Sequence, residues 1–205
     1  VQGVHDVFSP FYVPTLTTLD RFECHVGLGY STFLSEMKGL KCEVSMFIPQ
    51  DENLVIQKIT VTNLRDGPVQ VDLIPVIEYT HPDALKQLVN ADWVPQTMQS
   101  YLHEESGGMK TLSQSPFMNK DFQCNFFTAS VPVSSFETDR GHFLGDNGYG
   151  SWASPKILEE KELSNTLALR GDNIAALMLH LGDIPAGEHQ EVSVLLCQTT
   201  DFDAA

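Results

Sequence analysis

One stretch near the start of the chain, in which strand-forming residues are broken by glycines, constrains the fold most. Residues 22–33 and 39–49 are rich in aromatic, β-branched and apolar residues, and Gly27, Gly29 and Gly39 punctuate them. Glycine reaches the positive φ angles that tight turns between strands require. The stretch therefore predicts two strands separated by glycine-bearing turns.

Apolar and polar residues alternate again on both sides of residues 63–68. Ile59 and Val61 share one face of the stretch 55–61, and Val69 and Val71 resume the pattern after the turn. An Asp-Gly pair inside such a turn is a strong hairpin signal. We therefore predict a hairpin here.

A second hairpin is predicted near the end of the chain by the same pattern. Residues 182–188 contain two glycines and a proline between two alternating segments. The apolar residues of these segments are Leu177, Leu179, Leu181, Val192, Val194 and Leu196.

The rest of the chain adds strand signals and few helical ones. Phe122, Cys124 and Phe126 predict another half-buried strand, while residues 81–89 and 201–205 are the two candidates for short helices. Repeated short strands between turns favour an all-β fold, a large antiparallel β-sandwich with few short helices. No linker or repeat divides the chain, so residues 1–205 are predicted to be a single domain.

The composition limits which partners and which cellular compartment are expected for this protein. A net charge of −15 argues against nucleic acid, and no apolar run reaches the roughly 20 residues that span a membrane. The chain begins at Val1 without a signal-like segment, which favours a fragment of a longer protein. The four cysteines form no Cys-x-x-Cys pair, so reduced core thiols in the cytoplasm are favoured over two disulfides.

No catalytic or metal-binding pattern stands out. Glycoside cleavage needs two carboxylates, or one carboxylic acid and an external nucleophile, yet no spacing singles out a pair among 27 acidic residues. Glu104 and Glu105 are adjacent, so on a strand they would point to opposite faces. The seven histidines lack metal-ligand spacing, which leaves only a site assembled from distant strands. His25 and His180 lie in strand-like segments and are interpreted as hydrogen-bonded structural residues.

The best candidate for a binding site is residues 139–152, where four glycines stand among aromatic and polar side chains. This composition predicts a long surface loop at the rim of a sheet. Sugars stack on Trp or Tyr and accept hydrogen bonds from Arg. Arg140, Tyr149 and Trp152 are therefore the candidate substrate-binding residues, together with Trp93 elsewhere in the chain. Packing alone is the competing interpretation for each.

Several short segments resemble, in order, the N-terminal β-sandwich domain of the family 94 glycoside phosphorylases. This family includes cellobiose, cellodextrin, chitobiose and β-1,2-oligoglucan phosphorylases and modules of cyclic β-1,2-glucan synthases. The resemblance covers nearly the whole chain. The matching segments are 7–10, 25–30, 39–49, 61–63, 143–145, 163–165 and 181–188. Two positions depart from the pattern: Phe8 replaces a Trp, and Asp146 replaces a basic residue.

The resemblance implies a galactose-mutarotase-like super-sandwich followed by an α/α-barrel catalytic domain. In such enzymes an aspartate of the barrel is the general acid and inorganic phosphate is the nucleophile and co-substrate. Cleavage of a β-glucoside inverts the anomeric carbon and gives α-glucose 1-phosphate. The resemblance thus implies a glycosyltransferase-type phosphorylase, an oligosaccharide substrate and a homodimer. It implies no cofactor or metal, and no catalytic residue within this chain.

Three functions follow as hypotheses. The first is the scaffold, dimerisation or substrate-entrance domain of an inverting phosphorylase. The second is a free-standing carbohydrate-binding module without catalysis. The third is a mutarotase-like epimerase, which would need a histidine and a carboxylate converging on a sugar ring.

Overall fold

A computed structural model describes residues 6–79, 98–116, 123–145 and 150–200, which form twelve strands and one α-helix. The helix α1 is Arg140–Leu144, and two 3₁₀ turns lie at Ser106–Gly108 and Lys156–Glu159. The strands are β1 (Arg21–Val26), β2 (Tyr30–Met37), β3 (Leu40–Phe47), β4 (Leu54–Asn63), β5 (Val69–Leu73), β6 (Val76–Glu78), β7 (Met98–Glu104), β8 (Lys110–Pro116), β9 (Cys124–Ala129), β10 (Ser135–Asp139), β11 (Asn173–Ile184) and β12 (His189–Thr199).

The strands form a large and a small antiparallel sheet. The large sheet has eight strands in the order β1-β2-β3-β4-β12-β9-β8-β7. The small sheet has the order β10-β11-β5, and β6 also pairs with β11. The predicted all-β antiparallel sandwich is therefore confirmed.

The main core lies between the inner faces of the two sheets, where alternate residues of each strand meet. Val44, Ile59 and Val194 of the large sheet face Leu177 and Leu179 of the small one, and all are buried. A second apolar cluster lies on the other side of β11. There Ile174, Ala176 and Met178 pack under α1 and the segment 151–163. Strand β11 is therefore buried on both faces, which explains its nearly continuous apolar sequence.

The opening run forms three strands, β1 to β3, rather than the two that were predicted. The glycine-bearing turns between them are confirmed, because Gly29 and Gly39 have φ angles of +84° and +75°. The prediction was short by one strand because Gly27 and Gly29 lie inside a hairpin turn, between β1 and β2.

Both predicted hairpins are wrong in their pairing, although their strands exist. Strand β4 pairs with β3 and β12 in the large sheet, whereas β5 pairs with β11 in the small one. Likewise β11 and β12 belong to different sheets. Each turn therefore carries the chain across the core from one sheet to the other. The physical reason is that a strand with one apolar face is satisfied equally by a partner beside it or a partner across the core.

Two further predictions are confirmed in part. The strand predicted around Cys124 and Phe126 is β9, with Phe126 buried, whereas Phe122 and the two candidate short helices lie outside the described residues. Core thiols were predicted, and Cys42 is one: burial raises its pKa to about 12. Cys24 is exposed, which corrects the prediction for that residue, and all four cysteines are free. The described residues contain no helix long and apolar enough to cross a membrane.

Candidate functional site

Two of the predicted sugar-binding residues, Arg140 and Trp152, lie together at the start of α1. The guanidinium carbon of Arg140 is 5.8 Å from the centre of the Trp152 ring. Arg140 Nε also donates a hydrogen bond of 2.8 Å to Glu78 Oε1. Arg140 and Glu78 keep 31% and 54% of their side-chain surface exposed, so both present polar groups to solvent. The other two candidates, Tyr149 and Trp93, lie outside the described residues.

The Trp152 side chain packs against the apolar cluster under α1 and does not extend into solvent. Its ring lies 5.5 Å from that of Phe143, and it joins the cluster under α1. Its indole N–H is buried and has no hydrogen-bond partner in the described part of the chain. A sugar platform needs an open aromatic face. The Trp152 ring is instead engaged by Phe143 and Arg140, so its main effect is to position the guanidinium.

The predicted loop 139–152 is interrupted by the helix α1, which the sequence interpretation missed. Asp139 caps this helix, because its Oδ1 accepts a 3.0 Å hydrogen bond from the His142 backbone N–H. The signal was present as an aspartate three residues before that N–H, followed by two buried apolar residues, Phe143 and Leu144. Four glycines in fourteen residues outweighed it.

Glycine is required where the chain returns from this loop to α1. The Gly150 N–H donates a 3.2 Å hydrogen bond to the Gly145 carbonyl. A Cβ on Gly150 would lie 2.1 Å from the carbonyl oxygen of Leu144, which is backbone and cannot rotate away. This close approach brings Trp152 against Phe143 and beneath Arg140.

A fully buried carboxylate, Glu137, lies on β10, two residues before Asp139. Its Oε1 accepts hydrogen bonds from the backbone N–H groups of Thr138 and Asp139 at 2.9 and 2.7 Å, and its Oε2 accepts one from Ser164 Oγ. Burial raises its pKa, an effect that these hydrogen bonds oppose. With no exposed surface, Glu137 cannot reach a substrate. It instead ties the segment around Ser164 to β10.

Two further acidic residues, Asp72 and Glu162, contact His180. Its Nδ1 donates to Asp72 Oδ1 at 2.6 Å and its Nε2 donates to Glu162 Oε1 at 2.8 Å. The predicted structural role is therefore consistent with its contacts, and His25 likewise bonds Glu23 at 3.0 Å. Both nitrogens of His180 are occupied, so neither is available to move a proton on a sugar ring, as an epimerase would require.

The described residues hold no group of three or more His, Cys, Asp or Glu side chains that could bind a metal ion. Glu104 and Glu105 are exposed at the end of β7. Glu137 and Glu162 are both engaged in holding the fold. Among the described residues of this region, Arg140 and Glu78 present polar groups to solvent.

Comparison with known proteins assigns the chain to a domain family. The sequence model described as "Glycosyl hydrolase 94, supersandwich domain" matches residues 2–205. A solabiose phosphorylase from Paenibacillus borealis is 24% identical over 177 residues, which are 84% of this chain and 22% of that protein. The cyclic β-(1,2)-glucan synthase NdvB of Rhizobium meliloti is 24% identical over 197 residues, 93% of this chain and 6% of that protein.

A solved structure of a galactose mutarotase related enzyme from Lactobacillus acidophilus also aligns with this chain. The alignment covers 87% of this chain and 71% of that one, with a TM-score of 0.47 and 10% identity. The chain spans less than a quarter of the length of the two curated relatives described above.

Proposed function

The chain belongs to the glycosyl hydrolase 94 supersandwich domain family, and on that premise we propose that it is the N-terminal, non-catalytic domain of an inverting glycoside phosphorylase. The parent enzyme cleaves β-glucosides or β-glucan oligosaccharides with phosphate and releases α-glucose 1-phosphate. An α/α-barrel that follows this domain supplies the general acid. The match of the family over residues 2–205 carries this proposal.

The chemistry of inversion sets what the catalytic acid must do. A phosphate oxygen attacks the anomeric carbon from the face opposite the glycosidic oxygen, while a carboxylic acid protonates that leaving oxygen. The acid must be accessible and carry a proton when the substrate binds. In the described part of this chain, Glu137 is buried and Asp72 and Glu162 are bound to His180. These contacts support a scaffold role.

We place the substrate-entrance role of this domain at Arg140. Its guanidinium is held between Trp152 and Glu78, and part of it faces solvent. A guanidinium in a fixed position donates hydrogen bonds well to sugar hydroxyls. In the homodimer that we propose, this surface lies beside the active-site entrance of the partner. The packed Trp152 ring favours this role over a free-standing carbohydrate-binding module, which needs an open aromatic face.

The substitution Arg140→Gln in the full gene product tests the entrance role. We expect KM for an oligosaccharide to rise about threefold to tenfold, since one lost charged hydrogen bond is worth about 1 kcal/mol or more. We expect kcat to change less than twofold, because Arg140 does not contact the reacting atoms.

Lys58→Gln is the matched control. It removes one cation from the outer face of the large sheet, where Lys58 pairs with Glu191, and we expect it to change neither constant. An unchanged KM in Arg140→Gln, or a kcat that falls as much as kcat/KM, would contradict the role proposed for Arg140.

A further inference from the structure

Strand β1 is an open edge of the large sheet. In the described part of the chain it pairs with β2 on one side and ends the strand order on the other. The Gly27 N–H donates to the Tyr30 carbonyl at 2.9 Å, which fixes which residues of β1 bond to β2. Residues that bond to the partner strand alternate with residues that do not along an antiparallel pair. The N–H and C=O groups of Phe22, Cys24 and Val26 therefore point away from β2. Among the described residues, no strand pairs with these groups.

The side chains of the same three residues continue the core-facing surface of the large sheet. Cys24 lies in one cross-strand row with Phe33 and Val44. Val44 is buried, and Phe33 is covered by Phe11 at 5.0 Å between ring centres. This cover does not extend to Cys24 on the edge strand, which is exposed.

Phe22 is 45% exposed and Val26 is 79% exposed, and Cys24 is exposed as well. An apolar strand face next to unpaired backbone groups is a template for adding another strand.

We propose that the open edge of β1 pairs antiparallel with β1 of a second copy of this chain. The twofold axis passes at Cys24, so that Cys24 faces Cys24 of the second copy. This inference rests on the homodimer in the proposed function and assigns its interface. Phe22 then faces Val26 of the second copy, and the outward backbone groups of these residues exchange hydrogen bonds across the axis.

Charge on the outer face selects this register. The apolar faces of both copies lie on the same side of the joined sheet only in registers that differ by two residues. Two of these registers pair nearly all of β1 with β1 of the second copy. One places Glu23 opposite Glu23 of the second copy, where like charges repel. The other places Glu23 opposite His25, in the closely spaced type of pair where side chains interact most. Glu23 and His25 already share a hydrogen bond within one chain, at 3.0 Å, beside the Arg21–Glu23 ion pair.

Sedimentation of charge variants of the protein tests the pairing. We expect Glu23→Lys to weaken self-association at least tenfold, because the lysine faces His25 of the second copy and loses the attraction. We expect His25→Glu to weaken it similarly, because it places two carboxylates opposite each other. The double variant Glu23→His with His25→Glu restores the opposite charges and should restore association.

Glu105→Lys is the matched control, since it makes the same charge change at an exposed residue away from β1. Its association should equal that of the unmodified protein. A protein that sediments as a monomer at every concentration, or a dimer that Glu23→Lys leaves unchanged, overturns the pairing.

Cys24 reports the register directly. In a variant carrying Cys124→Ser and Cys197→Ser, two Cys24 thiols lose two hydrogens to dissolved oxygen under copper catalysis and form one disulfide, with the oxygen reduced to water. Directly opposed residues of this type lie about 5.5 Å apart at Cα, within the range of a disulfide. We expect a crosslinked dimer that Cys24→Ser abolishes.

A dimer that resists crosslinking at Cys24 overturns the register. Failure of this pairing is distinguishable from failure of the proposed function. A monomeric protein that still forms glucose 1-phosphate contradicts the interface and leaves the phosphorylase assignment intact.

Discussion

His180 is the residue through which the small sheet holds the segment that covers it. Its two ring nitrogens donate to Asp72 on β5 and to Glu162 in the covering segment. Ser135 Oγ also donates to Glu162, at 2.6 Å. A carboxylate only accepts hydrogen bonds, so both nitrogens must carry protons for these contacts to form. The two contacts therefore favour the imidazolium form.

This arrangement predicts a specific dependence of stability on pH. The hydrogen bonds to Asp72 and then to Glu162 raise the pKa of His180 above its ordinary 6.5. The stabilisation it gives is therefore complete below that ordinary value and is lost as the pH rises through the folded-state pKa. Urea unfolding across this range should show the unmodified protein and His180→Gln converging in free energy of unfolding as the pH increases.

His189→Gln is the control, because His189 is exposed at the start of β12. The difference between this variant and the unmodified protein should not depend on the protonation of His180. A His180→Gln difference that is constant, or that grows with pH, would show that the imidazolium does not hold the covering segment.

Residue identity predicted some of these contacts and missed others. Arg140 and Trp152 were predicted to lie in one long loop, and the structure brings them into contact. Glu137 was missed because a buried acid and an exposed acid look alike in a strand sequence, and its side-chain partner, Ser164, lies 27 residues away. Such a partner comes from tertiary structure, which local patterns do not encode.

At the scale of elements, the two turns that cross between the sheets lie side by side and share one residue. Asn63 is fully buried at the end of β4. Its side-chain amide donates to the Gly67 carbonyl at 2.8 Å and to the Ile184 carbonyl at 2.9 Å. Its backbone N–H donates to the Glu188 carbonyl at 3.0 Å. Asn63 therefore joins the β4–β5 turn to the β11–β12 turn.

The substitution Asn63→Ala should lower the free energy of unfolding by about 3 kcal/mol. It leaves two carbonyls and the Arg65 N–H without their side-chain partner, and each unsatisfied buried group costs about 1–3 kcal/mol before relaxation. Chemical denaturation measures the change. Thr62→Ala, one residue earlier and on the outer face of β4, is the control and should cost well under 1 kcal/mol. An equal cost for both variants would mean that the turns are not joined through Asn63.

The strand sequences predicted these elements but not their partners. Alternation around Val61 and Leu179 correctly gives strands with an apolar face, and glycine correctly gives turns. The same pattern suits a hairpin and a crossing between sheets. The choice depends on β12, which takes the place beside β4 through a pairing of nine residues. Long-range pairing of this kind leaves no mark in either turn.

At the scale of the whole molecule, the described residues build a sandwich whose main acidic groups hold its own segments together. Both act on the segment 162–164: Glu137 of β10 bonds Ser164, and Glu162 bonds His180 of β11. The chain spans 22% of the solabiose phosphorylase that it resembles. These observations support our proposal that this domain is a scaffold and that a separate domain performs phosphorolysis.

The most direct test of that account is ³¹P NMR of residues 1–205, incubated with phosphate and β-glucan oligosaccharides beside the full gene product. We predict a growing glucose 1-phosphate signal from the full gene product and only inorganic phosphate with residues 1–205. Formation of glucose 1-phosphate by residues 1–205 alone would contradict the central claim that this domain is non-catalytic.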